Sequence, residues 1–224
     1  MAIEFPKQLD RADLFPTPVW VAQVPEHVKK LNKYSDPYIV AAKKYFKPMI
    51  DKRNKTYGNK KDMGHVFHST SLIQNKNFAP FHQYVTLTAR NLLVEMGYDL
   101  SKFDIMLTES WVQEFAKSGG GHHTLHTHWN GHISGFYFLK ASECTSRPVF
   151  HDPRPGHAMN GLPVKSATEI TYGSPEIHYK VKPGTMMFFP SYLPHLFSVD
   201  VGYDPFRFIH WNVQAVPKAD KIGV

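Results

Sequence analysis

The sequence predicts a mainly β protein with flanking helices, its strands packed as two sheets of jelly-roll type. Two patterns carry that expectation. Beyond residue 100, FDIMLTESWVQEF, HISGFYFLK, RPVFHD, EIHYKVK, TMMFFPS, HLFSV and FRFIHWNVQAV are β-branched or aromatic-rich segments separated by Gly, Pro, Asn and Asp. Many short strands with turn residues between them are the signature of a sandwich or barrel. Before residue 100, apolar residues instead recur at three- and four-residue steps, the period of helices that cover a sheet.

Taken in order, DLFPTPVWVAQV (13–24) reads as an extended opening strand broken by Pro16 and Pro18. Residues 36–47 predict a helix: Asp36 can cap it, Pro37 suits the first helical position, and Tyr38, Ile39, Ala42, Tyr45 and Phe46 form its apolar stripe. Pro48 should end or kink it. A second helix is expected over 81–96, where Phe81, Val85, Ala89, Leu92, Leu93 and Met96 share a face and Gly97 supplies a stop. The expected organisation is one domain over 1–224, with an N-terminal strand and supporting helices in 1–100 and the β core in 101–217.

Composition narrows the class. No apolar run approaches the roughly 20 residues of a membrane span, and MAIEFPKQLDRADLF lacks the basic-then-apolar order of a secretory signal. Cys144 is the single cysteine, so no internal disulfide can form and a reducing cytoplasm is the expected compartment. The net charge of +7 gathers partly in KKYFKPMIDKRNKTYGNKK. A solvated helix face and loop is favoured for this run over a nucleic-acid patch, because no aromatic-interleaved module or Cys/His finger accompanies it.

The chemistry gathers at three histidines and an arginine. On a strand, side chains two apart share a face, so His126 and His128 of HTHWNGHISGFYFLK can point at one ion. His195 in GTMMFFPSYLPH could complete the set. No further catalytic residue is expected beyond this metal site. The connection DVGYDP predicts an antiparallel hairpin between HLFSV and FRFIHWNV, with Arg207 diagonal to His195 at roughly 7 Å on the same face. That is the reach of a five-carbon diacid held by the metal at one end and by a guanidinium fork at the other. Ser134, Phe136 and Phe138 alternate with Ile133, Gly135 and Tyr137, and the Ser134 face is expected to line the pocket.

HTH followed by ISGFYFLK, then GTMMFFPSYLPH and an arginine twelve residues on, resembles the Fe(II)/2-oxoglutarate-dependent oxygenases, in particular their prolyl-hydroxylase-like branch. LFPTPVW and VFHDPRPG are also similar to that branch, and the resemblance spans roughly residues 105–216. It implies a double-stranded β-helix holding Fe(II), with 2-oxoglutarate as co-substrate and O2 as oxidant. His126 falls at the first ligand, His195 at the last, and Arg207 at the position that binds the far carboxylate of 2-oxoglutarate. The implied reaction hydroxylates a C–H bond of a small molecule or protein side chain and releases succinate and CO2.

The chain departs from that family in two places. The wider superfamily has HxD or HxE where this chain has His126-Thr127-His128, so either His128 ligates or a carboxylate such as Asp152 replaces it; His128 is the preferred reading. Many relatives carry serine two residues after the arginine, where this chain has Ile209, leaving Ser134 or Tyr179 to assist Arg207. Other residues have plainer readings. His122, His123 and His132 belong to a loop or donate hydrogen bonds to ligands, and Gly119–Gly121 form a flexible loop or the hinge of a lid. Arg154 sits at the surface or clamps substrate, Phe188, Phe189 and Trp211 are core, and Cys144 lies in a polar loop. Two other functions fit three histidines: a zinc hydrolase or lyase, and a non-catalytic jelly-roll binding protein. The substrate and the oligomeric state are not legible.

Overall fold

The computed structural model describes residues 10–58, 60–156, 159, 161–166 and 169–219. In chain order the elements are β1 (Trp20–Gln23), α1 (Val28–Tyr57), β2 (Val66–His68), α2 (Ala79–Glu95), β3 (Phe103–Phe115), β4 (His123–His126), β5 (Ile133–Lys140), β6 (Pro148–His151), β7 (Glu176–His178), β8 (Thr185–Pro190), β9 (His195–Phe197) and β10 (Arg207–Pro217). They form a six-stranded sheet, β1-β8-β5-β10-β3-β2, and a four-stranded sheet, β4-β9-β6-β7. Every pairing is antiparallel. All seven strands expected beyond residue 100 are present.

The larger sheet has two apolar faces. Toward the helices it presents Val112, Ile133, Tyr137, Leu139, Phe188, Ile209, Trp211 and Val213, packed against Leu31 and Ile39 of α1 and Phe81, Val85, Ala89, Leu92 and Leu93 of α2. Toward the smaller sheet it presents Trp111, Phe115, Phe136, Phe138, Met187, Phe189 and Phe208, packed with Phe150 and Phe197. Strand alternation sorts the residues: 207, 209, 211 and 213 of β10 face the helices, and 208, 210 and 212 face the interior. Gly135 is required by this layering, because a Cβ there would lie 2.4 Å from the Trp211 ring and from the Met187 carbonyl.

The first helix differs from the expected 36–47. It starts at Val28, follows a 3-10 turn over Pro25–His27, and runs through both Pro37 and Pro48 to Tyr57. An interior proline costs a helix roughly 3 kcal/mol. Burial of Leu31, Ser35, Ile39 and Ala42 at four- and three-residue steps fixes the first half against the sheet, so tertiary packing overrides the local break. Gly119–Gly121 also differ from a free loop. Gly120 donates to the Asp200 carbonyl at 2.7 Å, and the Gly121 carbonyl accepts from Asp200 at 2.8 Å. Gly119 (φ 77°) and Gly202 (φ 74°) pack backbone to backbone, where a Cβ on either would clash.

Candidate metal centre

His126 and His195 are direct cross-strand partners in the β4–β9 ladder, which is why residues nearly seventy apart meet. His128 lies beyond the end of β4, so strand periodicity does not position it. Its backbone N–H instead donates to the Ser191 carbonyl at 2.9 Å, tying its loop to the β8–β9 turn. Ring centroids then stand 4.4 Å apart for His126–His195, 5.1 Å for His126–His128 and 5.2 Å for His128–His195. One nitrogen from each of the three rings lies within 4.8 Å of the other two.

The protonation pattern suits ligation. His126 Nδ1 meets the Thr124 carbonyl at 2.7 Å, and His195 Nδ1 meets the Leu193 carbonyl at 2.9 Å. A ring N–H donated to a carbonyl fixes the tautomer and leaves the Nε2 lone pair free for a metal. Nε2 of both His128 and His195 is buried and meets no hydrogen-bond partner in the protein. Leaving such a group unmatched costs on the order of 1–3 kcal/mol, which a bound cation offsets. Burial holds His195 down to about 3 and His128 to about 4, with neighbouring imidazoles pushing the same way. At neutral pH both rings are therefore uncharged, as a ligand must be. The three rings fit a divalent first-row metal.

The interior beside them is rich in imidazole and aromatic rings. His210 stacks on His128 at 4.6 Å and lies tilted against Trp111 at 4.6 Å, and His68 lies 4.2 Å from Trp111. His123, with its Nε2 2.5 Å from Gln113 Nε2, sits 5.8 Å from His126. Ser134 does line this interior, as expected from its strand face, but its hydroxyl is engaged by Ser191 Oγ at 2.8 Å and Asn212 Oδ1 at 2.6 Å. Asn212 in turn donates to Glu109 Oε2 at 2.6 Å and approaches His128 Nδ1 at 3.3 Å. Ser134 therefore acts on His128 through Asn212.

Arg207 is not brought to the imidazoles. Strand β9 pairs with β4 and β6, and β10 with β3 and β5, so His195 and Arg207 belong to different sheets and form no hairpin. Arg207 shares the helix-facing side of β10 with Ile209 and Trp211. There it meets Glu114 Oε2 (Nη2, 2.6 Å), Asp36 Oδ1 (Nη1, 2.6 Å) and Ser35 Oγ (3.1 Å). It is the single buried Lys or Arg among the described residues, and its guanidinium is engaged by Glu114 and Asp36 on the helix side of the sheet. The interior positions preceding His210 on that segment hold Phe206 and Phe208, inside a ring cluster with Phe115, Phe138 and Phe197.

Asp152 belongs to neither group of potential ligands in the described residues. Its carboxylate is paired with Arg154 (Oδ2–Nη2, 2.6 Å; Oδ1–Nε, 2.9 Å) and caps the Arg154 N–H. Both residues line a cavity of about 670 Å3 with Tyr179, Tyr172 and Arg11, and none of His126, His128 and His195 is among its lining residues. Tyr179 is thus also outside the imidazole cluster. His210, Glu109 and Asn212 are site residues not anticipated from sequence. Period-two reading of FRFIHWN would have found two of them, since it groups Phe208, His210 and Asn212 on the face opposite Arg207.

Comparison with known proteins bears on this site. Residues 109–200 match a sequence family described as "Putative 2OG-Fe(II) oxygenase". No curated protein matches in sequence. Among solved structures, the chain is similar to the non-heme alpha-ketoglutarate-dependent epimerase SnoN from nogalamycin biosynthesis (TM-score 0.56, 9% identity, covering 92% of this chain and 81% of that one). It is also similar to the non-heme monooxygenase ThoJ in its nickel complex (0.53, 9%, 91% and 77%). The viral collagen prolyl hydroxylase of Paramecium Bursaria Chlorella virus-1 gives 0.50 at 10% identity, covering 88% and 96%. These likenesses concern the fold, the double-stranded β-helix. No helix among the described residues is long and apolar enough to cross a membrane. The span that matches this family model contains His126, His128 and His195 and runs through the strands that bring them together.

Proposed function

We propose that this chain binds Fe(II) through His126, His128 and His195 and hydroxylates a C–H bond of a small molecule or a protein side chain, consuming 2-oxoglutarate and O2 and releasing succinate and CO2. The observation that carries the reading is the triangle of imidazoles, two joined across a β ladder and the third held by the Ser191 carbonyl. Fe(II) bound there with 2-oxoglutarate and O2 supplies the oxidising chemistry, and the protein supplies orientation and an open coordination face. Within the chain, the Thr124 and Leu193 carbonyls hold two rings in the ligating tautomer. Phe136, Phe150 and Phe189 surround His195 with apolar rings and exclude water from its inner side. The rim is open: Leu125 and Trp129 flank His126 and His128 in sequence, and Trp129 is 94% exposed. A substrate carrying an apolar or aromatic surface is suited to that rim.

Anaerobic titration with Fe(II) and then 2-oxoglutarate tests the proposal. The expected result is a visible charge-transfer band, followed on aeration by stoichiometric succinate. Iron binding without a band and without succinate would overturn the oxygenase reading while leaving the metal site standing.

A further inference from the structure

We infer that the chain carries a second divalent-metal position, built from Glu109, His128 and His210 and sharing His128 with the three-histidine set. One ligand atom from each of these residues lies within 4.8 Å of the other two. Donors about 2.0–2.2 Å from one ion sit roughly 3.0–3.5 Å apart when adjacent, so a small contraction closes the set. The burial pattern points to a ligand. His210 is fully buried, and neither of its ring nitrogens meets a hydrogen-bond partner in the protein. Native interiors seldom leave an imidazole unmatched at both nitrogens.

The surroundings hold the set in place. His210 lies between the rings of His128 and Trp111, each at 4.6 Å, with Phe136 at 5.4 Å. Glu109 Oε1 accepts from the Trp111 indole at 3.0 Å and Oε2 from Asn212 at 2.6 Å. The Asn212 amide nitrogen that reaches Glu109 also approaches His128 Nδ1 at 3.3 Å, so that nitrogen lies on the Glu109 side. Two imidazoles and a carboxylate are a stronger set for a divalent ion than three neutral imidazoles, because the carboxylate cancels one unit of its charge. With both positions filled, His128 offers one nitrogen to each ion as a bridging imidazolate, and its ring proton leaves to solvent.

The test uses the full chain stripped of metal and titrated anaerobically with Co(II), read by bound metal per chain and by the d–d spectrum. Wild type should saturate at two equivalents. Glu109→Gln, which keeps the side-chain shape, and His210→Asn should each saturate at one and retain the spectrum of the three-histidine site. His195→Ala should also saturate at one, with the complementary spectrum. Saturation of wild type at a single equivalent would overturn the inference, as would two equivalents in Glu109→Gln. Either result leaves the three-histidine site intact, so this failure and failure of the oxygenase reading are distinguishable.

Discussion

Arg207 and Glu114 are paired partners across the β10–β3 ladder, and their side chains meet on the helix side of the sheet with Nη2 and Oε2 2.6 Å apart, both buried. Glu114 also contacts Lys43 of α1 and accepts from Lys140 at 3.2 Å, while Arg207 reaches Asp36 of α1. Burial alone would raise the Glu114 carboxyl, but its bond to Lys43 and the charges of Arg207, Lys43 and Lys140 prevail and hold it at about 2. The cluster bolts α1 to the outer face of the sheet whose inner face carries His210.

Arg207→Ala should therefore lower stability, by about 3 kcal/mol, rather than remove a co-substrate anchor. Breaking a buried pair leaves an uncompensated charge, here softened because Glu114 keeps its two lysines. Urea denaturation should show the loss. 2-Oxoglutarate affinity measured on the folded, Fe(II)-loaded variant should match wild type. A tenfold weaker 2-oxoglutarate affinity at unchanged stability would refute the assignment.

Sequence and structure agree where period and local chemistry act alone. The seven strands past residue 100 and the stripe Phe81, Val85, Ala89, Leu92, Leu93 were legible because alternation and helical spacing are strong local signals. His126 and His195 were legible as ligand types, but their direct pairing depends on β9 joining β4, a long-range choice that no local pattern encodes. The hairpin expected from DVGYDP failed for that reason: a turn-rich connection joins two sheets as readily as two neighbours in one sheet. Arg207 was misplaced by giving spacing from His195 more weight than alternation with Trp211, whose core position already indicated the face. Glu109 was invisible because its partner His210 lies a hundred residues away.

The three-histidine assignment makes a graded prediction about metal retention. His126→Ala and His195→Ala should each lose Fe(II) affinity by more than the roughly 10–100-fold that outer partners of a metal site control. Asp152→Ala should retain iron, since that carboxylate is committed to Arg154. Equilibrium dialysis against a competing chelator decides the matter, and loss of iron from Asp152→Ala with retention in His128→Ala would reverse the ligand choice.

The hydrogen-bond chain behind His128 predicts a smaller effect of the same sign. Asn212 touches Glu109, Asn130, Ser134 and His128, so Asn212→Ala should weaken metal binding roughly 10–100-fold by releasing the His128 ring and the Glu109 carboxylate together. Ser134→Ala removes one bond to Asn212 and should cost less, roughly tenfold at most. Calorimetric titration with Co(II) compares the two. Equal effects would show that Ser134 contacts the metal or its bound ligand directly.

Acid should destabilise the protein through histidines outside the metal site as well as inside it. His82 of α2 is 8% exposed, meets Ser110 Oγ through Nε2 at 3.1 Å, and is pushed by burial down to about 4. In the unfolded chain it titrates near 6.5. Between those values the unfolded state binds more protons, so the stability contributed by the neutral ring is complete above about pH 6.5 and is lost as pH falls toward 4. The slope is about 1.4 kcal/mol per pH unit for each such histidine. His82→Gln, which can still hydrogen-bond Ser110, should flatten the pH dependence of urea stability of the metal-free protein between pH 6 and 4.5 by about that amount. An unchanged slope would mean that the ring stays solvated and protonates in place. The same variant should leave Co(II) binding at pH 7.5 untouched, because His82 projects from α2 onto the helix-side residue Ser110 rather than into the interior that holds His128 and His195.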